Sequence, residues 1–144
     1  MTLLRGPLAP APRTLVDVLR RTATDHPEEP ALDNGAQVLT YEEFLDAAEE
    51  VAEVLQAAGI GPGDKVGIRI RSGTTDLYVA IAGTLVAGAA YVPVDPAYPA
   101  ERVKFMLADA EPAAVVCARA HRDAVLDGGL DPIPRAGLER LPPP

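Results

Sequence analysis

The sequence predicts an α/β fold: a mainly parallel sheet with flanking helices, plus an N-terminal β-hairpin. Three observations carry this. The apolar runs 65–70, 90–94 and 113–118 have the length and composition of buried parallel strands. A stretch with helical spacing separates each run from the next, the alternation of βαβ units with right-handed crossovers. An Asn34-Gly35 pair lies between the extended runs 31–33 and 37–39, the strongest short-range hairpin signal.

Residues 1–13 are Pro-rich and aperiodic and read as an extended leader or linker. They hold no apolar h-region and do not read as a signal peptide. Thr14 is an N-cap candidate with Asp17 three residues on, and Leu15, Val18, Leu19 and Ala23 follow helical spacing. His26-Pro27 ends that helix. In the hairpin, both Asn34 and Gly35 are expected to take positive φ.

Thr40-Tyr41-Glu42-Glu43 has the form of a capping box, with Leu39 and Phe44 at the two positions of a hydrophobic staple. Phe44, Ala48, Val51, Ala52 and Leu55 form one apolar stripe, and Glu42, Glu49, Glu50 and Glu53 lie mostly off it. Gly59 is the expected left-handed C-terminal residue. Gly61-Pro62-Gly63-Asp64 turns the chain into a strand carrying Val66, Ile68 and Ile70.

Ser72-Gly73-Thr74-Thr75 is expected to cap a helix over 75–88 that is uncharged after Asp76, followed by a buried strand from Tyr91 to Val94. Tyr98-Pro99-Ala100 starts the next helix, with proline where a missing amide costs nothing. Its inner face is Val103, Met106, Leu107 and Ala110. Ala113 to Ala118 is the third strand, and a short helix over Ala120–Leu126 ends at Gly128-Gly129. The expected organisation is a leader over 1–13, one domain over 14–128 and a Pro-rich extended tail over 129–144.

Composition excludes several functions. Of 144 residues, 48% are hydrophobic and 24% charged, enough for one domain with its own core. Aromatics are 4% and Trp is absent, so Ala and Val fill the core and the layers must pack closely. The formal net charge of -8 argues against a nucleic-acid partner, which needs a Lys/Arg field. A single cysteine, Cys117, excludes an internal disulfide framework and a multi-thiolate metal site. A reducing, cytoplasmic setting is the simpler reading. The uncharged run from Leu77 to Val94 has the minimum length of a membrane span. It carries Gly83, Gly88 and Pro93, has more Ala than Leu and Ile together, and is flanked by Asp76 and Asp95, so a buried helix followed by a buried strand is expected instead.

Candidate chemistry is sparse. Gly59, Gly61 and Gly63 cluster, but Pro62 removes a donor and a strand follows, so a turn is expected and not a phosphate cradle. Ser72 is the only serine and has no nucleophile-elbow pattern. His26 and His121 read as surface histidines. Cys117, in an apolar strand with no cation beside it in sequence, reads as a buried inert thiol. The pairs Glu42/Glu43 and Glu49/Glu50 read as solvated helix charges. Asp95 stands out, at the carboxyl end of a predicted parallel strand, where open α/β sheets bind ligands; Ser72 and Gly73 follow the preceding strand. The competing role for Asp95, and the favoured one, is to cap the turn into Pro96.

Two stretches carry a resemblance. Leu39-Thr40-Tyr41-Glu42-Glu43-Phe44 resembles the first core motif of the adenylation domains of nonribosomal peptide synthetases. Leu85-Val86-Ala87-Gly88-Ala89-Ala90-Tyr91-Val92-Pro93-Val94-Asp95 resembles the second, with Val86 where those domains often have Lys. The resemblance extends over about residues 14–126. It implies part of the N-terminal subdomain of an adenylate-forming ligase. The family's reaction joins a carboxylate, usually an amino acid, to the α-phosphate of ATP with Mg2+ and passes the acyl-adenylate to a phosphopantetheine thiol. Both matched motifs are scaffold in that family. The resemblance therefore assigns no catalytic, cofactor-binding or metal-binding residue here. The Ser/Thr/Gly-rich phosphate loop, the later nucleotide-binding motifs and the mobile lysine have no counterpart in these residues. Implied partners are the remainder of the adenylation domain and a carrier protein, with neither nucleic acid nor membrane. A homodimer through the Leu77–Val94 region or the sheet edge is a further expectation. Two alternatives stay open: a stand-alone noncatalytic dimerisation or complementation module on the same half-fold, and the N-terminus of an acyl-CoA or aryl-acid ligase.

Overall fold

The computed structural model describes residues 11–117 and 132–134. In chain order the elements are α1 (Leu15–Asp25), β1 (Pro30–Asp33), β2 (Val38–Thr40), α2 (Tyr41–Ala57), β3 (Lys65–Arg69), α3 (Thr75–Val86), β4 (Ala90–Pro93), α4 (Ala100–Ala110), β5 (Ala114–Cys117) and β6 (Pro132–Pro134). A two-stranded hairpin, β1-β2, stands apart from a four-stranded sheet in the order β4-β3-β5-β6. Every pairing in the larger sheet is parallel.

β3 shows how the sheet divides the core. Val66, Ile68, Ala114 and Val116 face one way and pack with Val51, Leu55, Val79 and Ala80 of α2 and α3. Val115 and Cys117 face the other way and pack with Val103 and Leu107 of α4. A Cβ on Gly67 would stand 3.1 Å from the Val115 side chain and 3.6 Å from that of Leu107, so Gly67 belongs to this second face. The result is three layers. α3 leads outward from β3 to the edge strand β4, and α4 leads back across β3 to β5. Right-handed crossovers running in opposite directions must lie on opposite faces, as these do.

Local signals set the helix ends. At α1 the Thr14 amide donates to Asp17 Oδ2 at 2.9 Å and the Asp17 amide donates to Thr14 Oγ1 at 3.0 Å. At α2 the Thr40 amide donates to Glu43 Oε2 at 2.9 Å and the Glu43 amide to Thr40 Oγ1 at 3.2 Å, so the expected capping box is formed. α2 ends in a Schellman motif: the Ile60 amide donates to the Leu55 carbonyl at 3.0 Å and the Gly59 amide to that of Gln56 at 2.9 Å. Gly59 has φ 81, as its role requires.

The Asp17 carboxyl is held below its ordinary value of 3.8, first by the Thr14 amide and then by the Thr14 hydroxyl. A depressed carboxyl contributes stability above its unfolded pKa and loses it as pH falls through the folded one. The α1 N-terminus is therefore expected to loosen on acidification below about pH 3.8. Amide hydrogen exchange at Thr14 should show this step, and the Asp17→Asn variant should lack it.

Four expectations need correction. First, the hairpin register pairs Asp33 with Val38, so the loop has four residues, and only Gly35 takes positive φ, at 83°. Asn34 uses its side chain instead, with Oδ1 accepting from the amides of Ala36 at 3.1 Å and Gln37 at 2.7 Å. Second, α3 starts after Thr74 without a side-chain cap and ends at Val86. Thr74 Oγ1 donates back to the Arg71 carbonyl at 2.8 Å, which turns its lone pairs from the helix amides. Third, Pro99 occupies the N-cap position of α4, one place earlier than expected. Fourth, β4, expected as a buried strand, is an edge strand whose Ala90, Tyr91 and Pro93 are exposed, because among the described residues only β3 pairs with it. Within the Pro-rich tail, β6 pairs with β5, with Val116 opposite Ile133. The expected helix over 120–126, His121 and most of the leader lie outside the described residues.

Candidate site at the carboxyl ends of the parallel strands

β3 and β4 end together, and the residues after them form the face where ligands approach sheets of this kind. Ile68, Ile70, Ser72, Leu77, Asp95 and Tyr98 line a shallow cleft of about 230 Å³ there. The structure thus brings Ser72 and Asp95 together, because β3 and β4 are adjacent and parallel. Gly73 is not part of that cleft. It lines a neighbouring cleft of about 430 Å³ between the hairpin and the first turn of α3, with Asp33, Asn34, Thr75 and Tyr78.

Asp95 is committed to its turn. Its Oδ1 accepts from the Ala97 amide at 2.8 Å and its carbonyl accepts from the Tyr98 amide at 3.1 Å. This is an Asx turn into Pro96, the role favoured from sequence. Ser72 and Gly73 are exposed. The loop that carries them is tied to the hairpin. Asn34 Nδ2 donates to the Gly73 carbonyl at 3.2 Å, and Thr75 Oγ1 donates to Gln37 Oε1 at 2.7 Å. Neither tether is legible in the sequence, because nothing local announces a contact across 38 or 39 positions.

The remaining candidates separate. His26 is exposed at the C-terminal end of α1, where its amide donates to the Thr22 carbonyl at 2.8 Å. At the Gly61–Asp64 turn, Asp64 Oδ2 accepts from the Gly61 amide at 2.9 Å, and Gly63 takes φ 91. The amide a phosphate would need is already used, and the loop leads into β3 rather than a helix. Cys117 is fully buried on the α4 face of the sheet. It does have a cation beside it: register sets Arg69 of β3 opposite Cys117.

Sequence reasoning missed Arg69. It is one of two cations in an alternating run, Ile68-Arg69-Ile70-Arg71, where period-2 alternation sets the arginines on the face opposite the isoleucines. The structure buries it to 5% exposure, because α4 covers the face toward which it points. Its Nη2 donates to the Pro96 carbonyl at 3.2 Å and so pins the Asp95 turn. Arg102 stacks on Tyr98 at 4.4 Å from the ring centroid, on the exposed side of the same turn.

Among the described residues, no group of three or more His, Cys, Asp or Glu side chains is placed to hold a metal ion. No helix among them is long and apolar enough to cross a membrane.

Comparison with known proteins follows the same lines. Residues 19–137 match the family described as AMP-binding enzyme. Tyrocidine synthase 3 of Brevibacillus parabrevis is 38% identical over 109 residues, which is 76% of this chain and 2% of that protein. Phosphinothricin tripeptide synthetase PhsC of Streptomyces viridochromogenes is 40% identical over 107 residues, 72% of this chain and 10% of the relative. Among solved structures, a four-domain nonribosomal peptide synthetase bound to AMP and glycine superimposes with a TM-score of 0.76 and 29% identity, over 90% of this chain and 10% of that one. A fatty acid AMP ligase from Legionella pneumophila gives a TM-score of 0.76 at 26% identity, over 90% of this chain and 26% of the ligase. The chain therefore spans a small part of each relative. With a family match covering most of its length and the three-layer fold of adenylate-forming N-terminal subdomains, the chain belongs to the AMP-binding enzyme family.

Proposed function

We propose that this chain is the N-terminal portion of an amino-acid adenylation domain, serving as scaffold for a ligase whose reactive groups lie in other parts of the protein. The observation that carries the reading is how the matched residues are used. The two motif stretches supply a helix cap, a buried stripe and an edge strand. Asp95, an exposed acid at the ligand-binding end of the sheet, is held in a turn. Phosphate activation needs several donors and cations converging on developing charge. The cleft at the carboxyl ends of β3 and β4 offers Ser72, Asp95 and Tyr98, a set without that convergence.

In this reading the complete protein binds ATP and Mg2+, forms an aminoacyl-adenylate and transfers it to a phosphopantetheine thiol on a carrier. The peptide-synthetase relatives support an amino acid over a fatty or aryl acid as substrate. The test is amino-acid-dependent ATP–pyrophosphate exchange. The 144-residue chain is expected to give none with any of the proteinogenic amino acids. The polypeptide translated through the continuing reading frame is expected to give exchange with at least one. Exchange by the 144-residue chain itself would overturn the proposal.

A stand-alone dimerisation module is less well supported. Ala90 and Val94 donate their amides to the Asp64 and Ile68 carbonyls, so the outer edge of β4 is left with Tyr91 and Pro93. Pro93 has no N–H, and a proline in this position blunts the edge for pairing with a second copy.

A further inference from the structure

The loop that joins β1 to β2 gathers polar groups around an exposed Asn-Gly bond. The Gly35 amide donates to Asp33 Oδ1 at 2.8 Å. Asn34 Oδ1 accepts from the amides of Ala36 at 3.1 Å and Gln37 at 2.7 Å. Asn34 Nδ2 donates to the Gly73 carbonyl at 3.2 Å, across the cleft of about 430 Å³ between the hairpin and α3. Asp33, Asn34 and Gly35 are all exposed, so water reaches the loop.

An asparagine carboxamide is open to attack by the backbone nitrogen of the residue that follows it. The reaction needs that nitrogen beside the carboxamide carbon, a base for its proton, and donors for the oxygen that gains charge. The loop holds all three. The bond from the Ala36 amide to Asn34 Oδ1 closes an Asx turn around the Gly35 peptide and keeps the carboxamide next to the Gly35 nitrogen. Asp33 Oδ1 lies within the reach of a general base from the N–H of that nitrogen. The Ala36 and Gln37 amides stand at the distances of an oxyanion hole. The loop also demands glycine, since Gly35 has φ 83, and glycine is the least hindered nucleophile a chain can place there.

We propose that Asn34 is a site of self-catalysed deamidation, and that its conversion loosens the loop over 72–75 from the hairpin. Asp33 Oδ1 takes the Gly35 amide proton as the Gly35 nitrogen bonds to Asn34 Cγ. Negative charge gathers on Asn34 Oδ1 against the two amides. The Cγ–Nδ2 bond then breaks, and Nδ2 leaves as ammonia with the proton that Asp33 held. A cyclic succinimide remains. Water opens it at Cγ, giving aspartate at position 34, or at the backbone carbonyl carbon, giving isoaspartate. Water is consumed and ammonia released, with no change of oxidation state. Either product replaces the Nδ2 donor with a carboxylate oxygen, which has no proton to give the Gly73 carbonyl. A second negative charge beside Asp33 adds repulsion. The proposal is independent of the ligase reading.

The test incubates the 144-residue chain in mildly alkaline buffer, folded and in urea, and follows position 34 by peptide mass mapping, which registers conversion of amide to acid. The folded chain is expected to convert about tenfold faster than the unfolded one, less than a positioned base alone supplies because the loop also restricts motion. Asp33→Asn keeps an acceptor for the Gly35 amide and removes the charge. At an unchanged Tm it is expected to bring the folded rate down to the unfolded one or below, and Asp33→Ser to do the same. Amide exchange from Gly73 to Thr75 is expected to rise about fivefold in the converted protein and in Asn34→Asp. A folded rate equal to or below that in urea would show that the hydrogen bonds protect Asn34, and would overturn the proposal. A rate that neither Asp33 variant changes would overturn the role of the base, and unchanged exchange from Gly73 to Thr75 after conversion would overturn the loosening.

Discussion

Replacing Gly83 with alanine is expected to destabilise the chain by about 2 kcal/mol, and replacing it with valine to prevent folding. Gly83 lies in the middle of α3, where glycine should be a poor choice by about 1 kcal/mol relative to alanine. Packing decides otherwise. A Cβ built there would stand 2.5 Å from Val51 Cβ, 2.6 Å from Val51 Cγ1 and 2.8 Å from the Ala48 carbonyl oxygen. None of these is the far end of a flexible side chain: two are fixed by the α2 backbone and the third is one bond away. The helices would have to separate. Their contact is built from small residues, Ala48 and Ala52 on α2 with Ala80, Gly83 and Thr84 on α3, all buried. Separation would therefore open the layer that covers β3. Urea denaturation of Gly83→Ala should show the midpoint falling with an unchanged slope. A midpoint at or above that of the parent would show that the helices are not held at this distance.

Leu55→Ala is expected to cost about 3 kcal/mol. Leu55 is completely buried at the C-terminal end of α2 and belongs to the cluster that includes Val66, Ile68 and Val116 of the sheet. It also closes the Schellman motif, since its carbonyl accepts from Ile60, whose side chain is buried in the same cluster. Truncation removes transfer free energy and leaves a cavity between α2 and the sheet, which the motif prevents from collapsing. Against a typical total of about 5–15 kcal/mol for a domain, this is a large share. Thermal unfolding should show it, with Leu55→Met as the control that keeps most of the volume and loses less than about 1.5 kcal/mol.

Much of this architecture is legible in the sequence, for identifiable reasons. The Thr40–Glu43 box, the Phe44–Leu55 stripe, Gly59 and the three parallel strands are encoded within a few residues of where they act, and spacing alone reveals them. The scarcity of aromatics points to close packing, and Gly83 against Val51 is what that looks like in place. Features that depend on distant chain are hidden. Asn34-Gly35 has the form of a two-residue turn, yet the Asn34 side chain caps a four-residue loop and reaches Gly73. Thr74 has the right identity for an N-cap, but its hydroxyl donates to the Arg71 carbonyl. β6 joins the sheet through residues whose proline content argues for a tail; an edge position makes this permissible.

The candidate site is legible in part. Strand order and apolar pattern place Ser72 and Asp95 at the correct end of the sheet, and the turn-capping role of Asp95 follows from Pro96. Arg69 is missed because alternation in a strand tells which residues share a face but not whether that face is covered. α4, more than 30 residues later, makes the difference between a surface cation and a buried one.

The claim on which the account turns is that these residues support a nucleotide-dependent ligase without gripping the nucleotide. Titration calorimetry of the purified 144-residue chain with ATP and Mg2+ tests it most directly. The account predicts no saturable heat up to millimolar nucleotide, with binding recovered only in the polypeptide that continues past Pro144. Stoichiometric binding by the 144-residue chain, abolished by substitution of Ser72, Asp95 or Arg69, would contradict it.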